Sequence, residues 1–349
     1  MISRIWHGYT TFKKLYLILV LFLFTLNLFG QTKIDSLVQQ GVSFHDEGQY
    51  NKAIEFYKQA LAIDPNSALA NYEISFSYMA AGDYENSIIH SDKVISLNKD
   101  YVLQAYLTKG SSLDYLGRTK ESVKLFEKGL RKFGDNYLLY YNLGYDYYRI
   151  KEYVKAEEAF VKAIKINPAH SSSHFILARL MADQNKNIQS LLCLNYFLLL
   201  EPNTSRSKTA FQLLEKQFGG NVEKDKEKPN QINILVGTDQ KDSEFAPADL
   251  MISVMQAANF TEENKGKTEA QLFIENTKSF FNILGELKKD KYKGLWWDFY
   301  VPFFNNLANS DHLDTFCYYI SQSSKDKSTE WLNNNNPKLV MFDLWLKGK

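Results

Sequence analysis

The residue types that carry most enzyme chemistry are sparse and isolated in this sequence. His170 and His174 are four residues apart, which is metal-ligand spacing on a helix, but no third ligand accompanies them. Asp311, His312 and Asp314 suggest acid–base chemistry, although such acids also favour the first turn of a helix. We interpret both groups as solvated or capping side chains.

Motifs of common enzyme classes are also missing. The 349 residues contain no phosphate-binding loop, dinucleotide fingerprint, HExxH motif or serine elbow. Two acidic pairs, Glu157–Glu158 and Glu262–Glu263, fit polar faces or turns. Cys193 and Cys317 are predicted to be buried hydrophobes, with a disulfide between them as the open alternative. The sequence therefore predicts a protein that is not an enzyme and has no catalytic, cofactor-binding or metal-binding residues.

Composition narrows the class of partner. The chain has 41 basic and 40 acidic residues and a net charge of +1, without the concentrated positive surface that nucleic acid requires. Hydrophobic residues make up 45% of the chain, enough for a substantial core. Aromatic residues reach 15%, with 22 Tyr and 24 Phe. We therefore expect no nucleic-acid partner.

Residues 1–30 have the layout of a secretory signal peptide. Arg4, Lys13 and Lys14 precede an apolar run from Leu15 to Phe24, and the segment ends at a small residue, Gly30. The apolar part is shorter than the roughly 20 residues that cross a bilayer. We predict cleavage after residue 30 and a periplasmic or secreted protein. The alternative is an uncleaved segment, which would be the protein's only contact with a membrane.

A repeat of 34 residues organises the middle of the chain. The stretches Ile34 to Ser67 and Tyr137 to His170 align at eight offsets. The first stretch has Gly41, Phe44, Gly48, Tyr50, Ala53, Tyr57, Ala60 and Pro65, and the other has Gly144, Tyr147, Lys151, Tyr153, Ala156, Phe160, Ala163 and Pro168. Units beginning at Ala68, Leu103 and Ser171 follow the pattern less closely. The agreement indicates five consecutive repeats.

This pattern resembles the tetratricopeptide repeat (TPR) family, whose repeats are two antiparallel helices joined by a short turn. Small residues such as Gly41 let helices approach, and large ones such as Tyr57 fill the space between them. Because no repeat buries its apolar face alone, neighbours must stack. Ser205 to Phe218 is predicted to be a capping helix. The fold expected for residues 31–219 is an all-α TPR solenoid of about five helix-turn-helix repeats plus this cap.

Residues 220–349 differ in composition from the repeats. Residues 220–230 are a predicted linker, because Glu223 to Pro229 is a mixed-charge run. Residues 231–349 are predicted to form a small aromatic-rich α-helical domain. Its expected elements are a short strand or connector at Ile232 to Val236, and helices at Ala248 to Asn259, Lys267 to Lys288, near Pro302, at Leu313 to Ile320 and at Leu339 to Leu346. The aromatic residues from Trp296 to Phe304 are expected to be core, with a ligand site as the alternative.

The resemblance also implies a binding surface, because the first helix of each TPR lines a groove. The corresponding residues here are Tyr72, Phe76, Met79, Tyr115, Tyr141, Tyr145, Tyr148, Arg149, Phe175 and Arg179. Tyr, Phe and Arg carry much of the binding energy at interfaces. A Lys/Asn carboxylate clamp for an acidic chain end is not favoured, because Val38 and Val42 stand where such a clamp has polar residues. We expect an extended or helical partner segment held by aromatic contacts.

Together these features predict a non-catalytic scaffold or adaptor that binds a protein or peptide outside the cytoplasm. The alternative function is a ligand-binding or enzymatic module in residues 231–349 that the repeats position. A polar pocket with titratable groups in that region would favour the module, and a packed aromatic core would favour the adaptor.

Overall fold

The structure is a computed structural model that describes residues 32–219, 222–224, 232–234, 244–261 and 264–348. The predicted signal peptide at residues 1–30 lies outside the described residues. The chain divides into two compact units, unit 1 ending at Lys151 and unit 2 beginning at Glu152. Among the described residues, no helix combines the length and the apolar character needed to cross a membrane.

Five pairs of consecutive helices follow one another along the repeat region, as predicted. The first helices of the pairs are α1 (32–46), α3 (Ala68–Ala80), α5 (Val102–Tyr115), α7 (Tyr137–Arg149) and α9 (Ser171–Asp183). The second helices are α2 (Tyr50–Ile63), α4 (Tyr84–Leu97), α6 (Thr119–Phe133), α8 (Tyr153–Ile166) and α10 (Asn187–Leu200), and the capping helix α11 is Ser205–Gly219. The predicted helical-repeat fold with a following helix is confirmed.

The turn within each pair uses one residue in the left-handed backbone region. In the first three pairs this residue is Gly48, Gly82 and Gly117, with φ of 75°, 83° and 76°. Glycine adopts this conformation without the clash that a Cβ atom causes. The fourth and fifth pairs have Lys151 (φ 64°) and Asn185 (φ 57°) there. These two turns therefore carry backbone strain that the first three avoid.

In unit 1 the first helices form one layer, since α3 contacts α5 and α5 contacts α7. The second helices pack against them at points of very close approach. A Cβ atom built on Gly110 would lie 2.1 Å from the ring of Phe126, and one built on Gly41 would lie 2.4 Å from the ring of Tyr57. The small residues of the repeat pattern thus make room for the large ones.

In unit 2 the C-terminal helices pack directly on α10 and α11. The further elements are β1 (Val222–Lys224), β2 (Ile232–Ile234), α12 (Ala246–Ala258), α13 (Glu269–Leu287), a π-helical segment (Trp296–Tyr300), α14 (Val301–Ala308), α15 (Leu313–Ser321), α16 (Asp326–Asn334) and α17 (Asn336–Lys347). Helix α10 contacts α12, the π-helical segment and α15. Most of its residues are buried, because other helices cover it on several sides.

Two expectations for this region differ from the structure. The predicted linker contains β1, which pairs antiparallel with β2, Val222 lying opposite Ile234. Residues 225–230 of the linker lie outside the described residues. Helix α16 was not predicted, because Asp326–Asn334 has few apolar residues. The boundary between the units lies inside the predicted repeat domain, and the domain limits at 219 and 231 remain predictions.

Candidate protein-binding surface

Eight of the ten predicted groove residues belong to unit 1 and sit on its layer of first helices. They are Tyr72, Phe76 and Met79 on α3, Tyr115 on α5, and Tyr141, Tyr145, Tyr148 and Arg149 on α7. We call this set the inner face. Phe76 is 37% exposed, Tyr115 63% and Tyr145 38%. Arg149 is also exposed, and the other four side chains are half-buried. The inner face is thus accessible on all three helices.

Stacked rings order the α3 part of the inner face. The ring of Phe76 stacks on His45 of α1 at 4.9 Å between centroids, and lies 6.3 Å from Tyr72. Tyr72 in turn stacks on Tyr101 at 5.3 Å with the planes 5° apart. The Nδ1 atom of His45 is also hydrogen-bonded to the hydroxyl of Ser77 at 2.7 Å. These contacts hold the rings in place before a partner binds, which lowers the entropic cost of binding.

Tyr115 has a similar support on α5. It stacks on Tyr84 of α4, with ring centroids 5.0 Å apart and planes 17° apart. Its position at the last turn of α5 leaves most of the ring in solvent. A tyrosine that is fixed on one side and exposed on the other offers both apolar area and a hydrogen-bonding hydroxyl.

Arg149 is paired inside the protein, although its side chain is exposed. Its guanidinium donates to the carboxylate of Asp114 and also to the Asp114 carbonyl oxygen at 3.3 Å. Asp114 is buried and accepts a second hydrogen bond from the Thr119 hydroxyl at 2.8 Å. The ion pair raises the pKa of Arg149. The positive charge predicted for partner binding is therefore largely committed to Asp114.

A second carboxyl group beside this pair was missed by sequence reasoning. Asp146 is 2% exposed, and its Oδ2 atom has no hydrogen-bond partner among the described residues. Burial raises the pKa of Asp146 to about 8, with Ser122 opposing the shift, Asp114 adding to it and Arg149 opposing it. Asp146 lies between tyrosines in the run Tyr145 to Tyr148, so the hydropathy pattern does not predict that it is buried. Its position within the repeat could have identified it, because that position of α7 faces α6.

The two predicted groove residues of unit 2 behave differently from each other. Arg179 on α9 is exposed, as a binding residue must be. Phe175 is only 7% exposed, packs against Phe197 at 4.8 Å between centroids, and has the guanidinium of Arg206 over its ring at 5.9 Å. The assignment of Phe175 to an open groove is wrong, because α10 and α11 cover its ring. It is a core residue.

His174 has hydrogen-bond partners on both ring nitrogens and anchors the C-terminal helices. Its Nε2 is 2.8 Å from the Pro168 carbonyl oxygen, which can only accept, so Nε2 carries the proton. Its Nδ1 therefore accepts from the Tyr300 hydroxyl at 2.6 Å. Tyr300 in turn accepts from the Cys193 thiol at 3.4 Å. Burial lowers the pKa of His174 to about 4, so the ring is neutral.

The aromatic stretch of residues 296–304 lies mainly in the core of unit 2. Trp297, Tyr300 and Phe304 are all fully buried. A nearby cleft of about 460 Å³ is lined by Gly285, Lys288, Val301, Pro302, Asn305, Asn306 and Asn309. Of these described residues, only Lys288 is titratable. The buried rings and the cleft with one titratable lining residue fit the packed core expected of an adaptor better than a pocket with several titratable groups.

The remaining candidates for chemistry have structural roles. His312 is the N-cap of α15 and Asp314 lies in its first turn, as interpreted from the sequence. Glu157 pairs with Lys186 at 2.7 Å, while Glu262 and Glu263 lie outside the described residues. Both cysteines are free and buried. Within the described ranges, no group of three or more His, Cys, Asp or Glu side chains is arranged to hold a metal ion.

Consecutive helix pairs with glycine turns, small residues at close approaches and a layer of first helices define an α-helical repeat protein. Comparison with known families agrees with the sequence pattern. A model described as TPR repeat matches residues 41–82, and models described as tetratricopeptide repeat match residues 103–131 and 137–170. The chain therefore contains tetratricopeptide repeats in these segments.

Individual relatives resemble the chain over the repeats. Tetratricopeptide repeat protein 28 of Homo sapiens is 31% identical over 97 residues, which are 28% of this chain and 4% of the relative. TPR repeat-containing protein MJ1428 of Methanocaldococcus jannaschii is 24% identical over 156 residues, 42% of this chain and 28% of that protein. The structure of TTC0263, a thermophilic TPR protein in Thermus thermophilus, has 16% identity and a TM-score of 0.47, covering 52% of this chain and 99% of that one.

Proposed function

We propose that this protein is a non-catalytic scaffold that binds a peptide segment of a partner protein on the inner face of unit 1. One observation carries the proposal. Among the described residues, the exposed large aromatic side chains are Phe76, Tyr115, Tyr145 and Phe260, and three of these four lie on the inner face. Exposed aromatic residues gathered on one surface favour a binding site over chance exposure.

We also propose that the scaffold acts outside the cytoplasm, in the periplasm or as a secreted protein. The support is the charged, apolar and small-residue order of residues 1–30. N-terminal sequencing of protein recovered from the extracytoplasmic fraction tests this part. A mature chain beginning at Gln31 is the expected result. Recovery of the whole chain with Met1 in the cytoplasmic fraction would reject it.

Site-specific photo-crosslinking tests the binding surface directly. A photoreactive phenylalanine analogue replaces Tyr115 in one variant and Ile89 in another, and each variant is irradiated in extracts of the native host. Ile89 is the matched control, because it is 60% exposed but lies on α4, the second helix of its pair and not part of the inner face. The proposal predicts a discrete crosslinked partner from position 115 and none from position 89.

Affinity measurement with that partner then gives the magnitude. Replacing Tyr115 and Tyr145 together by alanine removes two exposed rings of the inner face and should weaken binding by about 2–4 kcal/mol, or roughly 30- to 1000-fold. Ile89→Ala should change binding by less than about threefold, as surface substitutions outside an interface do. If the double variant and Ile89→Ala lose the same binding affinity, or if neither loses any, the partner binds elsewhere.

A further inference from the structure

A cleft in unit 2 combines polar side chains from the end of α13 and from α14. It has a volume of about 460 Å³, within the range of sites that hold small molecules. The end of α13 contributes Gly285 and Lys288. The wall formed by α14 and its C-cap comes from positions i, i+3, i+4 and i+7, which share one face of a helix, namely Pro302, Asn305, Asn306 and Asn309. One helix face thus brings three carboxamides to the cleft.

The carboxamides are held in place by one another and by the close approach of the two helices. The Nδ2 atom of Asn309 donates to Oδ1 of Asn282 at 3.1 Å and to the backbone oxygen of Asn305 at 2.8 Å. It also donates to Oδ1 of Asn305 at 3.3 Å. A Cβ atom built on Gly285 would lie only 2.3 Å from that Oδ1 atom, so the glycine lets the Asn305 side chain rest against α13. Groups that are fixed before binding lose less entropy when a ligand binds.

Several polar atoms of the cleft have hydrogen-bonding capacity left over. Within the described part of the chain, no group pairs with Nδ2 of Asn305, with Oδ1 of Asn309 or with the Asn306 carboxamide. The Lys288 ammonium has no ion-pair partner there either, and it is the only charged group among the described lining residues. Amide nitrogens and an ammonium group donate hydrogen bonds, whereas amide oxygens accept them. The cleft therefore offers donors, acceptors and one positive charge.

These groups match a sugar better than a peptide. A hydroxyl group both donates and accepts, so a ring with several hydroxyls can use carboxamide nitrogens and oxygens together. Peptide recognition uses pockets or apolar grooves for side chains. The apolar side chains of the described lining are only Val301 and Pro302, and Val301 is buried. Lys288 adds a preference for a ligand with a negative group.

We propose that this cleft binds a sugar that carries a carboxylate, with its hydroxyls paired to the carboxamides of Asn305, Asn306 and Asn309 and its carboxylate paired to Lys288. The asparagines select the hydroxyl-rich ring, and the lysine selects the acid. Such a site gives the C-terminal region a ligand-binding role in addition to its packing. It uses no residue of the inner face, so the sugar site and the scaffold function can fail separately.

Saturation-transfer difference NMR with the full chain tests the ligand class. Three probes are compared, because D-glucuronate has hydroxyls and a carboxylate, D-glucose has hydroxyls without the acid, and triglycine has a peptide backbone with a carboxylate. Titration should give a Kd for glucuronate at least about fivefold lower than that for glucose, and triglycine should bind more weakly than glucuronate. Absence of transfer to both sugars, equal affinity for the two sugars, or triglycine binding as tight as that of glucuronate would each overturn the proposal.

Two substitutions of exposed residues locate the site. Asn306→Leu should weaken glucuronate binding by about three- to tenfold, because a ligand hydroxyl loses its partner. Lys288→Gln should bring the affinities for glucuronate and glucose to within about twofold of each other, because the charge is lost. Asn334→Leu is the matched control, since Asn334 is exposed on α16 and does not line the cleft, and it should leave both affinities unchanged. Unchanged binding in both site variants, or an equal loss in Asn334→Leu, would overturn the proposal. Circular dichroism checks that all three variants are folded.

Discussion

The buried Asp146 makes a testable prediction about stability and pH. Its carboxyl group is 2% exposed, one oxygen lacks a hydrogen bond to any described residue, and burial raises its pKa from 3.8 to about 8. The folded protein therefore prefers the protonated acid, whereas the unfolded chain releases the proton near its ordinary pKa. For a raised pKa, this stabilising contribution is fully present below about pH 4. It is lost as the pH rises through about 8.

The magnitude follows from the difference between the folded and unfolded pKa values. A tenfold difference in proton affinity corresponds to about 1.4 kcal/mol, so the free energy of unfolding should fall by about 3–4 kcal/mol between pH 5 and pH 8 from this group alone. Asp146→Asn keeps the shape of the neutral acid and cannot ionise. The variant should therefore be more stable than the natural protein at pH 8, and its stability should vary less between the two pH values.

The assay is urea unfolding at pH 5 and pH 8, followed by far-ultraviolet circular dichroism. Asp100→Asn, at an exposed position of unit 1, should leave the pH dependence unchanged. If Asp146→Asn shows the same pH dependence as the natural protein, the buried-acid argument is wrong.

Three further substitutions test packing, hydrogen bonding and backbone strain by the same unfolding measurements. Gly110→Ala should destabilise unit 1 by about 1–3 kcal/mol, because the new methyl group would overlap the Phe126 ring, and an unchanged transition would contradict this. Tyr300→Phe should destabilise unit 2 by about 1–3 kcal/mol, seen in tryptophan fluorescence, because His174 loses its donor. Lys151→Gly should stabilise the chain by about 0.5–1 kcal/mol by relieving the left-handed strain, and any loss of stability would refute that reason.

The repeat pattern predicted the helices of residues 32–219 closely because their constraints are local. Gly82 and Gly117 mark turns where only one backbone conformation closes the pair, and Gly41 opposite Tyr57 marks a contact of fixed spacing. Side-chain exposure at the groove-lining offsets was harder to predict. Phe175 occupies a groove-lining offset, yet Arg206 and Phe197 cover it. Exposure depends on neighbours far along the chain, which a repeat offset does not encode.

The polar pairings of the inner face were likewise invisible in the sequence. Arg149 was a candidate for partner binding, but its charge is held by Asp114, which is 35 positions earlier in the chain. Charge pairing requires three-dimensional neighbours, so the sequence pattern could not show that the charge of Arg149 is already paired.

The role of the C-terminal region follows from the composition of α10. The helix reads Asn187-Ile-Gln-Ser-Leu-Leu-Cys-Leu-Asn-Tyr-Phe-Leu-Leu-Leu200 and has apolar residues around its whole circumference. A helix of this kind is stable in water only when it is covered on all sides. Helices α9 and α11 cover part of it, and α12, the π-helical segment and α15 cover the rest. The aromatic residues of that region are therefore used in packing, Tyr300 against His174 among them. Because these rings complete a core, they support a structural role for the aromatic residues of the C-terminal region.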